Sequence, residues 1–570
     1  MKRTVALILA LVMTMALVAC GGDKPTSSTP TRTPGTSTPA TSTPATPDKP
    51  SEPAVDPEAA RYGGEFIMCS NNATNTMDPH EGAGSLGNSR WMIHIYEAVA
   101  VTNVAGTIYP EVCNYEESAD GLTIKLTVRD GATFSNGKKV TIDDVWASLY
   151  RYSGDTTTAT WDKLWKGSSI QKDDKSITIT FEKYNVNFAS SIRGLSLAIM
   201  PKEICDKYPV TGGELQSNGL LRGGKIENLI TEVADVIGTG PYKLESYSDE
   251  NVVLVRNENY VPVTRDAAAD GRAAPKKAYA DKITIAINRN ADSRSAAVIA
   301  GEYDMGMVST AMMSAAEAAG YQKIDQGSTW THGIFFNLDA SNADSPIANV
   351  NVRKAIRAAI DCNAVLLALT GEEAANVLQP YPIEVTTPYH NTIISDGEWN
   401  LGDQALAKEY LKKANYNGEA ISWLVPANNN MYTIAMGAIP QLEAVGIKID
   451  MMVVDSGAHS NLRKDPKTGH DIGAWNVQKR DDNPVLHSTF VTGTQGWWSS
   501  PAKDAAIEKM KTNPTNSAAS IEGYKEWCQA VVDECPFLLF GHVVNYDFVK
   551  SDIVWNVQGN TEYYWNVYRK

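Results

Sequence analysis

The sequence predicts a large exported α/β protein with more than one sheet, held on an N-terminal tether. Three observations carry this. Period-two strand patterns and amphipathic helix patterns interleave from Tyr62 almost to the C-terminus. A charged and then apolar leader ends in Leu17-Val18-Ala19-Cys20. Between the two lies a stretch rich in Thr, Ser and Pro with no apolar pattern.

In the leader, Lys2 and Arg3 supply positive charge and Val5 to Ala19 the apolar run, interrupted by Thr14. The run is shorter than the roughly 20 residues that cross a bilayer. Residues 1–19 therefore read as a signal peptide, not an anchor helix. The Leu-Val-Ala-Cys ending resembles the lipobox of bacterial lipoproteins, which implies that Cys20 is diacylated and opens the mature chain. Each buried CH₂ of such a lipid contributes about 0.8 kcal/mol, so two chains hold a soluble domain at a membrane. An ordinary cleaved signal with a chance cysteine is the plainer alternative; either way the rest works outside the cytoplasm. Residues 20–61, with runs such as Ser37-Thr38-Pro39-Ala40 and Ser42-Thr43-Pro44-Ala45, favour extended polyproline II at about 3.1 Å per residue, which makes a spacer.

Composition narrows the function. Of 570 residues, 43% are hydrophobic and 13 are tryptophan, enough for two or three well-cored domains. A net charge of −15 repels phosphate backbones and argues against nucleic acid as partner. Beyond Cys20 the cysteines are Cys69, Cys113, Cys205, Cys362, Cys528 and Cys535. Export permits disulfides, while their wide spread fits buried free thiols slightly better. Cys528 and Cys535 would stand ~10.5 Å apart along a continuing helix, too far for a bridge.

The globular elements follow in order. Leu122, Ile124, Leu126 and Val128 alternate with polar neighbours, as do Ile177, Ile179 and Phe181, then Ile283, Ile285 and Ile287, then Ile447, Ile449, Met451 and Val453. Thr141 with Asp144 reads as a capping box opening a helix over 142–152. Val352, Ile356 and Ile360 share one helix face, and 404–414 forms a further amphipathic helix.

Taken in order, these segments resemble the extracellular solute-binding proteins of the peptide and nickel class (family 5), the receptor subunits of ATP-driven importers. The resemblance runs through Gly63-Gly64-Glu65-Phe66, Ile95-Tyr96-Glu97-Ala98-Val99, Tyr109-Pro110-Glu111-Val112, and Leu126 to Phe134. It continues through Asn136 to Val145, Gly238-Thr239-Gly240-Pro241-Tyr242, Arg256-Asn257-Glu258-Asn259-Tyr260 and Gly301-Glu302-Tyr303-Asp304. Each piece is short; the ordered set is specific. It implies a type II periplasmic-binding-protein-like fold: two lobes with a hinge and an extra domain in the first lobe. The implied division is 62–105 first lobe, 106–232 extra domain, 233–335 first lobe again, 336–540 second lobe, and 541–570 return to the first. It implies a monomer that closes on an oligopeptide-like solute and delivers it to a permease, with no enzyme activity, cofactor or resident metal. An oligosaccharide or metal chelate is the alternative ligand; a surface sensor or adhesin, or an exported hydrolase, is the alternative class.

In peptide-binding members an aspartate between a tryptophan and a proline pairs with the peptide amino group. Here the matching segment runs from Trp475 to Pro484; counted from Trp475 the position is Gln478, and counted back from Pro484 it is Arg480. Neither is an acid, but Asp481 and Asp482 adjoin them. An ammonium buried without a charge partner is costly, so this departure bears on what the ligand presents. The expected ligand-binding residues are Trp475, Gln478, Arg480, Asp481 and Asp482. Trp330 joins them, with Asn428 and Asn429 after the 421–425 strand and Asn72 and Thr74 on the first loop. Trp423, Trp497 and Trp498 are weaker aromatic candidates. The GxGxxG spelling from Gly82 to Gly87 follows no apolar strand, and no GxSxG elbow or HExxH helix occurs.

Overall fold

In the computed structural model the described residues are 58–570 without 72–75, 82–90, 104, 193–196, 267, 326–329, 384, 428, 479–482, 488–495, 545 and 556–562; the side chains of 310, 374, 475 and 478 are also left out. The leader, Cys20, the tether, Asn72, Thr74, Asn428, Arg480, Asp481, Asp482 and the glycines from Gly82 to Gly87 lie outside the described residues.

The alternating segments become strands of three main sheets. The first sheet has seven, in the order Tyr242–Tyr247, Asn251–Arg256, Lys282–Ile287, Glu65–Ser70, Met305–Met307, Tyr546–Lys550, Tyr321–Asp325. Glu65–Ser70 sits centrally and pairs in parallel with Lys282–Ile287, Phe66 opposite Ile283 and Met68 opposite Ile285. These inward residues form one core with Tyr96, Tyr242 and Trp555. The second sheet has six, in the order Asn376–Val377, Phe537–Val543, Trp330–Phe336, Ile472–Gln478, Ala420–Pro426, Lys448–Val454. The chain leaves the first sheet after Asp325, builds the second from Trp330 to Val543, and re-enters the first at Tyr546. Two crossings thus join two lobes.

Lys448–Val454 is an edge strand, so its alternating side faces water in part: Ile449 and Met451 are half-buried and Val453 is exposed. The helix Val350–Ala359 puts Val352 and Ile356 into the second core. Ile360, expected on the same helical face, takes extended backbone just past the helix end, because Asp361 already caps the next helix, Cys362–Thr370. It stays buried all the same.

The third sheet, Cys113–Glu117, Thr123–Val128, Ser176–Phe181 and Ser168–Lys172, carries the helix Ile142–Gly154. Its capping box forms as the sequence predicts, the Thr141 amide donating to Asp144 Oδ2 at 2.8 Å. Beyond this sheet, Tyr184, Val186 and Ala189 pack with Phe335, Val477 and Val485 of the second lobe. Tyr184 Oη and Thr515 Oγ1 lie 2.9 Å apart. The helix Ala518–Glu534 stops before Cys535, which adopts left-handed backbone with φ 46°. The six described cysteines are free and buried. Burial pushes the Cys113 and Cys205 thiols up to about 12, so they act as small apolar groups.

The segment Gly238-Thr239-Gly240-Pro241 docks backbone on backbone. The Gly240 amide donates to the Ile95 carbonyl at 2.8 Å, and a Cβ on Gly238 would collide with that same oxygen. Thr239 donates to Glu97 at 3.1 Å, and the Asn257 amide to the Gly240 carbonyl at 2.8 Å. Beneath them Lys276 is enclosed with Glu97 at 3.0 Å and Glu111 at 2.5 Å. Burial alone would raise the Glu111 pKa, but the charges of Lys276, Arg272 and Arg265 outweigh it and hold the carboxyl at about 2.

Candidate functional site

A cavity of about 260 Å³ opens at the carboxyl ends of the strands Ala420–Pro426 and Ile472–Gln478, which run parallel. Open α/β sheets favour such an edge for binding, because loops and helix starts converge there while the strands hold them rigid. One wall is β structure. Trp330 begins its strand opposite Gln478, and His332 stands opposite Asn476. His332 donates from Nδ1 to Asn476 Oδ1 at 2.8 Å, which fixes the Asn476 amide at the cavity. Trp330 is 45% exposed, so a large ring faces solvent at the rim.

The opposite wall is one helix. Asp455 caps Ser456–Leu462 by accepting from the amides of Gly457 and Ala458, both at 2.9 Å. Ser456, His459, Ser460 and Arg463 follow at i, i+3, i+4 and i+7, so all four fall on one face and line the cavity. His459 is 4% exposed, and its Nε2 has no hydrogen-bond partner among the described residues. Burial, and then the charges of Arg463 and His470, pull its pKa down to about 4, against a hydrogen bond to the Ala474 backbone. Burial also lowers Arg463, which remains a cation. Among the described lining residues Arg463 is the sole charged side chain.

The third wall is the start of Asn430–Glu443, where Asn429 is the cap and its side chain accepts from the Met431 amide at 3.0 Å. Asn429 therefore lines the cavity, yet its carbonyl oxygen serves the helix end.

The structure brings Trp330 and Asn429 to one cavity. Trp475 stands opposite Gly333 on the same strand as Asn476; its side chain, and that of Gln478, are outside the described part. Two weaker candidates are core residues instead. Trp423 is fully buried on the strand Ala420–Pro426 of the second sheet, and Trp498 packs on Trp527 and Phe537 while donating to Glu534 at 2.7 Å. Sequence reading missed Asn476, His459 and Arg463. Asn476 stood unused next to Trp475. The signal for the other two was the polar stripe Ser-x-x-His-Ser-x-x-Arg, which has no apolar period and so passed as a solvated helix. Among the described residues no group of three or more His, Cys, Asp or Glu side chains is placed to hold a metal, and no helix is long and apolar enough to cross a membrane.

Two α/β lobes joined by two crossings, with a polar and aromatic cavity at the strand ends of one, define a two-lobed binding protein. The chain belongs to the bacterial extracellular solute-binding proteins, family 5, whose central region matches residues 107–497. A probable peptide ABC transporter periplasmic-binding protein of Sinorhizobium fredii is 24% identical over 445 residues, 72% of this chain and 75% of that one. Heme-binding protein A of Haemophilus influenzae is 24% identical over 467 residues, 76% of this chain and 78% of that one. Among solved structures, an ABC transporter substrate-binding protein from Listeria monocytogenes superposes with a TM-score of 0.71 at 18% identity, over 89% of this chain and all of that one. The fold is the type II periplasmic-binding-protein architecture that the resemblance implied.

Proposed function

We propose that this chain is the substrate-binding subunit of an ABC importer, tethered to the membrane through lipid on Cys20, and that it captures an oligopeptide-like solute. The two lobes close about their two crossings, and the closed form docks on the permease. Closure follows from population shift, since a solute touching both lobes only in the closed form favours that form by its differential affinity. The cavity on the second lobe carries this reading: an exposed indole beside hydrogen-bonding groups, in a chain of this family. A peptide offers amides for Asn476, Ser456 and Ser460 and side chains for Trp330. The absence of any acid among the described lining residues agrees with Gln478 standing where peptide-binding members carry the amine anchor. The relative named for heme favours a second reading, a chelate or other non-peptide solute.

The test is native mass spectrometry of the chain purified without unfolding, followed by denaturation to identify what is released. Release of peptides of mixed sequence supports the proposal. Release of a chelate or sugar, or failure to take up added peptides, overturns the peptide reading and leaves the receptor role. Sustained turnover of a peptide or glycoside by the pure chain overturns the receptor role itself.

A further inference from the structure

We infer that a second cavity, at the seam between the third sheet and the second lobe, binds a small multivalent oxyanion such as free phosphate or polyphosphate through Lys166, Lys183 and Lys511. It shares no lining residue with the cavity on the six-stranded sheet, and the inference does not depend on what the solute is.

The seam cavity measures about 370 Å³, and its walls come from both sides. Lys166 follows the helix Thr158–Trp165, and Lys183 follows the strand Ser176–Phe181 of the third sheet. Lys511 lies in the last turn of the second-lobe helix Pro501–Thr512. Three cations thus share the wall with one carboxylate, Glu182, in a chain where acids outnumber lysines and arginines by 66 to 51. Composition alone would favour the opposite sign. Among the described residues none of the three lysines forms an ion pair, whereas Lys509 pairs with Glu526 at 2.8 Å. Asp162, whose charge Lys166 also feels, is already gripped by Arg222 at 2.8 and 2.9 Å.

The two sides are firmly joined beside this space. Tyr184 lines the cavity and is 8% exposed. Its hydroxyl accepts from the Thr515 amide at 2.9 Å and lies as close to Thr515 Oγ1. Val186, also in the wall, enters the same core as Phe335 and Val477. Joining the sides therefore gathers like charges, which repel unless a counterion comes between them. An anion with several oxygens can meet all three ammoniums, and lysine serves phosphate as a point charge. The space admits an oxyanion with several waters at ~30 Å³ each. Because the lysines come from both sides, the anion binds the joined form better than the separated one and shifts the population towards it.

The test uses the full chain in mild detergent. Calorimetry compares inorganic phosphate, tripolyphosphate and glycerophosphoglycerol, a lipid headgroup without its chains. Tripolyphosphate should bind at least about tenfold more tightly than phosphate, because it brings more charge to the same lysines. K183E and K511E should each weaken it by about tenfold or more with unchanged circular dichroism. K412E, the same charge change on an exposed helix outside the cavity, should not. Hydrogen exchange read by mass spectrometry reports the bridge. Tripolyphosphate should slow exchange around Thr515, whose amide Tyr184 holds, in the wild type and not in K511E. Tripolyphosphate that binds K183E and K511E as well as the wild type, or that leaves exchange at Thr515 unchanged, overturns the proposal. Failure of both free anions to bind does the same. Glycerophosphoglycerol binding more tightly than tripolyphosphate overturns it in favour of a lipid headgroup.

Discussion

The two lobes bury charge in opposite ways. In the first, Lys276 is 2% exposed and meets two carboxylates, Glu97 and Glu111, each enclosed and tied further into the backbone or to Thr239. In the second, Arg463 and His459 line a cavity whose described walls offer no carboxylate, and one imidazole nitrogen has no described partner. Both arrangements cost desolvation. In the first the protein supplies the compensating groups itself, which fixes the fold. In the second the described walls leave the His459 Nε2 unmatched. A buried polar group that is matched argues for architecture; one left unmatched in a cavity wall argues for a ligand.

The sharpest way to break this contrast is to unmatch the first site. K276M leaves Glu97 enclosed without its cation and Glu111 with Arg272 at 3.6 Å, and a buried charge stripped of its partner typically costs ~3–5 kcal/mol. Denaturant unfolding should show a loss of that size. A loss below about 1 kcal/mol would show that the paired charges do not fix the fold.

Acid probes the contrast by another route. His80 is enclosed beside Asp78 and Arg151; burial, then the Arg151 charge, pull it down to about 4, against Asp78. The folded value lies below the ordinary 6.5, so the unfolded chain binds the proton more readily. Stability is therefore complete above pH 6.5 and falls as the pH drops toward 4, with His459 acting in the same sense and window. Glu111 follows lower down, losing its contribution between 4.5 and about 2. Unfolding midpoints measured across this range should decline in two stages. His332 and His470, also lowered by burial, act in the same sense, so H80Q should shrink the first stage without abolishing it. A first stage unchanged in H80Q would place the acid sensitivity elsewhere.

What the sequence made legible follows the same division. The segments carrying the family resemblance, Ile95 to Val99, Tyr109 to Val112, Gly238 to Tyr242 and Arg256 to Tyr260, converge on one knot. Glu97 and Glu111 flank Lys276, Thr239 and Tyr260 reach Glu97, and Asn257 holds the Gly240 carbonyl. Such a knot demands fixed residue types at fixed places, since glycine alone lets Gly238 approach the Ile95 carbonyl. The fold was therefore readable. The cavity was half readable: Trp330 and Asn429 stood at strand and helix ends where a site belongs. His459 and Arg463 were not, because a polar stripe on a seven-residue helix looks like an ordinary solvated face until the facing strand is in place. Ile360 shows the reverse limit, where a helical period ran one residue past a terminus that the Asp361 cap decided.

The smallest expected effect sharpens the comparison most finely, because Asn429 belongs to both categories. Its side-chain oxygen accepts from the Met431 amide, an architectural duty, while the residue also lines the cavity. N429A should cost ~1 kcal/mol of stability, the usual value of a lost helix cap. N429D keeps the cap, and its charge suits a helix N-terminus, so stability should hold within about 0.5 kcal/mol. The same carboxylate would bring a negative charge into the cavity wall. Binding of an acidic solute should then weaken several-fold in N429D, and less in N429A, when both are measured by calorimetry. Solute binding that tracks stability across the two variants would make Asn429 purely a cap. Binding that falls only where the acid is introduced would separate the field of the cavity from the integrity of its wall.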